Sequence, residues 1–355
     1  MTNPHRPWAA YGHALNLYSE TMRTIAIIGI ILSCCCVNSE AQVRDFPGIK
    51  FTRADSIADA LYNHSLKDLE LLSHNLTDGL NTDVEKFRAI YRWVCGNISY
   101  DYNSFSINKE QRSKLKDPQE LATWNKQIRA TIYKNLVEHR KTVCTGYAYL
   151  VKELANHAGL NCEIVDGYGR NAQANVRGPA QPNHSWNAVR LNNKWYLCDP
   201  TWSSGLYDTE QHAFIKQYND TYFLADPSLF IRNHYPLDTK WILNRYDVTL
   251  NDFLKGPLVY NTIYKHNLNR VSPNTFDIEV AKGEAAPFSF AKDHQSEKSR
   301  IELTIGRSGT LITPNISQDA DGLYRFNHKF NTKGRQMMHI LIDGEYAYTY
   351  SVTVK

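Results

Sequence analysis

Cys144, His184 and Asp199 are residue types that together can form and break an acyl bond. A thiol becomes a strong nucleophile as the thiolate, and the amino terminus of a helix favours negative charge there. A neighbouring imidazole can take the thiol proton, and a carboxylate on the far ring nitrogen fixes the imidazole's tautomer. Taken singly, each residue has a plainer reading. A cysteine at a helix start is mostly structural, a strand histidine mostly fills a core or a surface, and Asp199 ahead of Pro200 can simply open a turn. Metal binding is the competing use of these types, but no closely spaced pair such as H-x-x-x-H occurs, so no metal site is expected. A G-x-S-x-G elbow and a P-loop are both absent.

The case for joint chemistry rests on the elements that must position these side chains. Tyr147, Leu150, Val151, Leu154, Ala155 and Ala158 recur at helical spacing and Gly159 supplies the stop, which places Cys144 in the first turn of a buried helix. Cys162–Tyr168 reads as a strand. His184–Leu191 and Lys194–Cys198 read as two more, joined by Asn192-Asn193, a pair suited to a type I′ hairpin. With that turn Leu191 faces Lys194, and Trp186 stands opposite Asp199. His184, Trp186, Ala188, Trp195, Leu197 and Asp199 then share one face, with His184 and Asp199 diagonal neighbours roughly 7–8 Å apart at Cα. The apolar companions make this the face expected to lie under the helix, with Cys198 pointing away. One residue on a helix and two on adjacent strands, in the order Cys, His, Asp, is a papain-type arrangement.

Further elements frame this unit. Residues 55–76 read as one helix. Thr82 and Glu85 form a capping-box pattern ahead of Val84, Phe87, Tyr91, Val94 and Ile98, and residues 118–139 are helix-compatible after Pro118. From about 270, Phe276–Ala281, Arg300–Ile305, Leu323–Phe330, Met337–Ile342 and Tyr346–Val354 read as short strands of a separate immunoglobulin-like sandwich. Asp319-Ala320-Asp321-Gly322 lacks a full calcium ligand set and is expected to be a hairpin turn.

Composition narrows the classes. The chain of 355 residues is 42% hydrophobic and 21% charged, which excludes wholesale disorder. Its formal charge of +4, without a run of five like charges, points away from nucleic acid. Ile25–Leu32 is too short for a membrane span but fits a secretory h-region behind Met22-Arg23. Residues 1–41 are thus expected to be an upstream extension plus signal peptide, leaving Gln42 first after Ser39-Glu40-Ala41. Ile31-Leu32-Ser33-Cys34 offers a second exit, a loose lipobox with a lipid anchor at Cys34. Either route makes the protein extracytoplasmic: periplasmic, surface-anchored or secreted. Cys95, Cys144, Cys162 and Cys198 form no C-x-x-C; a single disulfide among them stays open.

Thr142-Val143-Cys144-Thr145-Gly146-Tyr147-Ala148, His184-Ser185-Trp186-Asn187 and Trp195-Tyr196-Leu197-Cys198-Asp199-Pro200-Thr201-Trp202 resemble the three signatures of the transglutaminase-like superfamily. Lys86–Val94 and Ile98–Asp101 are similar to the helix that precedes that core. Tyr222-Phe223-Leu224, His234-Tyr235-Pro236 and Lys240-Trp241 resemble the kyphoscoliosis-peptidase and cytokinesis-protein branch. The resemblance runs from about 68 to 245. It implies an α+β fold, a papain-like core whose cysteine-bearing helix packs on an antiparallel sheet, spanning 42–265 with its amino-terminal helices and followed by an all-β sandwich at 270–355. It also implies a cofactor-free enzyme acting on protein or peptide amides through a thioester. Cys144 would attack, His184 would serve as base and then acid, and Asp199 would orient His184. Trp186 and Trp202 would line the substrate site. The backbone N–H of Cys144 is the first oxyanion donor. No Gln stands just upstream to be the second, and Gln127 and Trp124 are distant candidates. The alternatives are a catalytically idle binding or assembly module and, within the enzymes, cross-linking in place of hydrolysis.

Overall fold

A computed structural model describes residues 42–115, 117–172, 174, 181–208, 213–244, 247–292, 299–306, 309–319 and 322–355. The expected leader and Cys34 lie outside the described residues. Where the spacing suggests one helix over 55–76 there are two, α1 (Thr52–Ala60) and α2 (Leu69–Thr77). The chain turns at Asn63, whose φ of 64° is left-handed, and Asp68 starts the second helix by accepting the Leu71 N–H. Helix α3 (Asp83–Asn97) begins with the reciprocal Thr82–Glu85 capping box and buries Val84, Phe87, Tyr91 and Val94. Strand β1 (Ser99–Tyr100), helices α4 (Tyr102–Lys114) and α5 (Pro118–His139) and strand β2 (Lys141–Thr142) follow. The parallel pairing of β1 with β2 ties the end of α3 to the residues just ahead of Cys144.

Helix α6 (Cys144–His157) buries Tyr147, Leu150, Val151 and Leu154, and the chain leaves it through Gly159 at φ 77°. Next come β3 (Asn161–Gly169), β4 (His184–Leu191) and β5 (Lys194–Cys198). The β4–β5 hairpin has the expected register, with Leu191 facing Lys194 and Asn187 facing Cys198. Asn192 and Asn193 both take positive φ, 48° and 62°. The chain continues through α7 (Pro200–Ser204), the pair β6 (Gly205–Asp208) and β7 (Ala213–Lys216), α8 (Pro227–Phe230) and β8 (His234–Pro236). The central sheet is antiparallel, in the order β5-β4-β3-β8.

The expected covered face is the wrong one. Helix α6 packs on the side that carries Cys162, Val189, Tyr196 and Cys198. Trp186, Ala188 and Leu197 instead face Tyr222, Ala225 and Phe230. Both faces of β4 are apolar and buried, so alternation fixes which residues share a face but not what covers it. His184 and Asp199 still meet α6 because they lie at the end of the hairpin, beside the helix's first turn rather than beneath its length.

Beyond α9 (Leu250–Lys255), β9 (Leu258–Val259) and α10 (Thr262–Lys265) the chain is built of strands. Strands β10 (Leu268–Ser272), β12 (Ala285–Lys292), β15 (Leu323–Lys329) and β14 (Ser317–Gln318) make one sheet. Strands β11 (Asp277–Val280), β17 (Glu345–Val354), β16 (Gly334–Ile342) and β13 (Ile301–Ile305) make the other, and β9 joins it on β17. The two share one core that includes Phe288, Phe326, Leu303, Ile340 and Tyr350, to which Val259 and Ile263 also belong. No helix among the described residues is long and apolar enough to cross a membrane. Cys95, Cys144, Cys162 and Cys198 are all buried free thiols.

Candidate active site

Asp199 is held from every side. It follows β5 and caps α7, whose first residue is Pro200 with no N–H to satisfy. Its Oδ1 accepts the N–H groups of Thr201 (2.8 Å) and Trp202 (3.2 Å). Its backbone N–H donates to the Tyr222 carbonyl (3.1 Å), and its carbonyl accepts the Tyr91 hydroxyl (2.8 Å). Tyr91 counts among the apolar positions of α3 by spacing, yet its hydroxyl buttresses the site. Asp199 is fully buried, so its charge requires these partners.

Oδ2 of Asp199 lies 2.7 Å from Nε2 of His184, the first residue of β4. A carboxylate there fixes the proton on Nε2 and leaves Nδ1 free to face the thiol. The Cys144 thiol, at the start of α6, lies close enough to the same ring to help raise its pKa. Burial alone would lower the His184 pKa, but the Asp199 charge beside it and the contact with Cys144 lift it to about 10. Burial would likewise raise the Asp199 carboxyl; the charge of His184 and the hydrogen bonds to two histidines hold it well below the usual range. The structure thus joins His184 and Asp199 as a buried, hydrogen-bonded acid–base pair, with Cys144 beside the His184 ring.

A second histidine completes the cluster. His234, on β8, is fully buried with Nε2 3.0 Å from the same Oδ2. Its Nδ1 lies 2.7 Å from Oδ1 of Asn233, and its ring stacks on Phe230 at 3.9 Å and 17°. Burial pushes its pKa down to about 4 against the pull of Asp199, so it is neutral near pH 7. The donor atoms of His184, Asp199 and His234 lie within 4.8 Å of one another. A cation among them would have to displace both hydrogen bonds to Oδ2.

The tryptophans divide. Trp186 is 1% exposed and packs edge-on against Phe230 and His234, so it presents no surface to a substrate. Trp202 is partly exposed, stacks on His184 (5.1 Å, 29°) and lines a cavity of about 710 Å³ with Asn219, Asp226 and Tyr264. Neither distant oxyanion candidate sits in a donor position: the Trp124 indole N–H donates to Asn108 (2.9 Å), and Gln127 is exposed on α5.

Thermal stability should peak near pH ~6.5 and fall on both sides. On the acid side the unfolded chain protonates His234 first, because its folded pKa of about 4 is the lower one. On the alkaline side the unfolded chain releases the His184 proton at about 6.5, whereas the folded protein keeps it to about 10, so that contribution is lost as pH rises. Melting curves from pH ~4 to ~10 read both arms. The alkaline decline should shrink in His184→Ala; an unchanged decline would contradict this assignment.

The family model for the transglutaminase-like superfamily matches residues 70–200. Kyphoscoliosis peptidase of Homo sapiens is 32% identical over 219 residues, covering 61% of this chain and 30% of that protein. Hillarin of Drosophila melanogaster is 26% identical over 244 residues, covering 65% of this chain and 27% of that protein. Cytokinesis protein 3 of Saccharomyces cerevisiae is 24% identical over 192 residues, covering 51% and 20%. The chain therefore spans less than a third of the length of these relatives.

Proposed function

Through residues 70–200 the chain belongs to the transglutaminase-like superfamily, in the branch of kyphoscoliosis peptidase and cytokinesis protein 3, and on that premise we propose that it is a cysteine-dependent hydrolase or acyltransferase of protein or peptide amides. In this reading the Cys144 sulfur attacks the amide carbonyl while His184 holds the thiol proton at Nδ1. The C–S bond forms, the C–N bond breaks, and His184 passes the proton to the leaving amine. Water or a second amine then attacks the thioester, gives its proton to Nδ1 and releases the thiol. The N–H of Cys144 stabilises the oxyanion. The reading is carried by the buried Asp199 carboxylate, whose 2.7 Å contact with Nε2 leaves the other ring nitrogen for the thiol. Trp202, stacked on His184, is the aromatic residue that this reading places beside the substrate, although the cavity it lines includes none of Cys144, His184 and Asp199.

A binding module that keeps the fold is the second reading, favoured by the small exposure of Cys144 and His184, 9% and 8%. A peptide-based thiol-reactive probe separates the two. The enzyme reading expects a label on Cys144 and, by mass spectrometry of products, either a free carboxylate or an amine adduct. A folded protein whose Cys144 stays unlabelled would favour the module. Export is part of the proposal, supported by the apolar run Ile25–Leu32 and the small residues Ser39 and Ala41. Intact mass of protein expressed with its native leader should begin at Gln42 or carry lipid on Cys34; recovery from Met1 or Met22 in the cytosol would remove this part.

A further inference from the structure

Asp199 has one more partner than the proposed reaction uses. An ionised carboxylate has about four acceptor positions. Two N–H groups at the start of α7 take Oδ1, and His184 takes one position on Oδ2. The last is filled by Nε2 of His234 at 3.0 Å. The surroundings of His234 are aromatic: Phe230 stacks on it, with Trp186, Trp202 and Tyr222 at ring distances of 5.2, 4.4 and 5.6 Å. A phenylalanine would fill such a space without the cost of burying two ring nitrogens. The histidine is therefore explained by its donor, not by its shape.

We propose that His234 is a positioning residue of the site, acting through Asp199 by pinning Oδ2 where His184 needs it and keeping that oxygen an acceptor. This inference rests on the reading of Cys144 as nucleophile and His184 as its base. With only the backbone bonds on Oδ1, the carboxylate could pivot and swing Oδ2 away from β4. A second N–H on Oδ2, carried on a different strand, removes that freedom. The support extends outward. Strand β8 pairs with the end of β3, Gly169 facing His234. The Asn233 amide is held between the Tyr264 hydroxyl (2.8 Å) and the Tyr222 hydroxyl (3.3 Å). As placed, Oδ1 of Asn233 faces His234 Nδ1. The proposed role requires this amide turned end for end, which puts its nitrogen at Nδ1, leaves the neutral ring protonated at Nε2 and lets the Tyr264 hydroxyl donate to the Leu229 carbonyl (3.3 Å).

Two substitutions separate positioning from packing. His234→Gln loses the ring but can place an amide N–H near the position of Nε2. His234→Phe keeps the ring and loses the donor. The measurement is the rate at which iodoacetamide alkylates Cys144 as a function of pH, read by mass spectrometry at that residue, with thermal midpoints recorded beside it. Loss of one charge-assisted hydrogen bond predicts that His234→Phe slows alkylation about 10- to 100-fold near pH ~6.5 and moves the profile towards that of free cysteine. His234→Gln should stay within about threefold of the wild type, since the donor is restored. The reverse order, Phe fast and Gln slow, would overturn the proposal and leave a packing role. A wild-type profile identical to free cysteine would instead remove the nucleophile reading. A fast wild type matched by an equally fast His234→Phe removes only the role of His234. Should neither variant fold, imidazole nitrogen shifts in the wild-type protein decide: a proton on Nε2 of His234 is required, and a bare Nε2 would end the idea.

Discussion

Alanine at Cys144 should eliminate the fast-alkylating thiol and lower turnover by about six orders of magnitude, leaving only the roughly 10³–10⁴-fold advantage over water that binding and the oxyanion donor supply. The wild type should react with iodoacetamide below pH ~8.5, where free cysteine is mostly the unreactive thiol. His184→Ala leaves only the amino terminus of α6 to favour the thiolate, a term worth about 0.3–1 kcal/mol, so most low-pH reactivity should go. Asp199→Asn is the more informative variant. Thr201 and Trp202 donate to Oδ1, so the asparagine oxygen must stay there and its amide nitrogen must replace Oδ2. That nitrogen can only donate. His184 and His234 would then each have to present a bare Nε2, forcing the His184 proton onto Nδ1, against the thiol. The base is lost although every atom keeps its place. Asp199→Asn should therefore fall close to His184→Ala, with circular dichroism confirming the fold. Asp199→Asn that alkylates like the wild type would break the assignment of the tautomer and of the base.

What the sequence reveals of this site follows from the range of the interactions involved. The hairpin is legible because two asparagines tolerate positive φ and the side-chain period of a strand is two, which sets the register from the turn outward. The first turn of α6 is legible because its apolar stripe stops at Gly159. His234 is not. It reaches Asp199 through three paired residues of β8 at the far end of β3, and no local pattern announces so distant a pairing. It stands in sequence only as part of His234-Tyr235-Pro236, a resemblance without a role. Tyr91 is hidden for the opposite reason: its ring obeys the core spacing of α3, and nothing in that spacing shows where the hydroxyl points. The face that α6 covers is ambiguous because β4 is buried on both sides. Helix α4 escapes notice for want of an apolar stripe, being capped by Asp101 accepting the Ser104 N–H. Strand β12 is obscured by Pro287, which pairs with Asn327.

Gly146→Ala should destabilise the protein and disable the site together, although the same change inside an ordinary helix stabilises by up to about 1 kcal/mol. Gly146 lies two residues after Cys144, on the side of α6 that meets β2. A Cβ there would stand 1.9 Å from Oγ1 of Thr142, 2.8 Å from its Cβ and 2.9 Å from its Cγ2. Rotating Thr142 relieves the first and third contacts but not the second, because Cβ does not move with χ1. Backbone must then shift. Neither side yields easily: Thr142 is paired with Tyr100 and its carbonyl accepts the Asp101 N–H (2.8 Å), while α6 is fixed by Tyr147 and Leu150 in the core. Forced overpacking of this kind typically costs about 1–3 kcal/mol. The displaced element is the first turn that carries Cys144, and a misplacement of about 1 Å can cost about 100-fold in rate. Denaturant unfolding and the alkylation profile should both report the change. Removing the opposing Cβ in the double variant Thr142→Gly/Gly146→Ala should recover part of each loss, a coupling that independent sites would not show. Gly146→Ala with raised stability and wild-type alkylation would mean that α6 and β2 are not packed as closely as this contact requires.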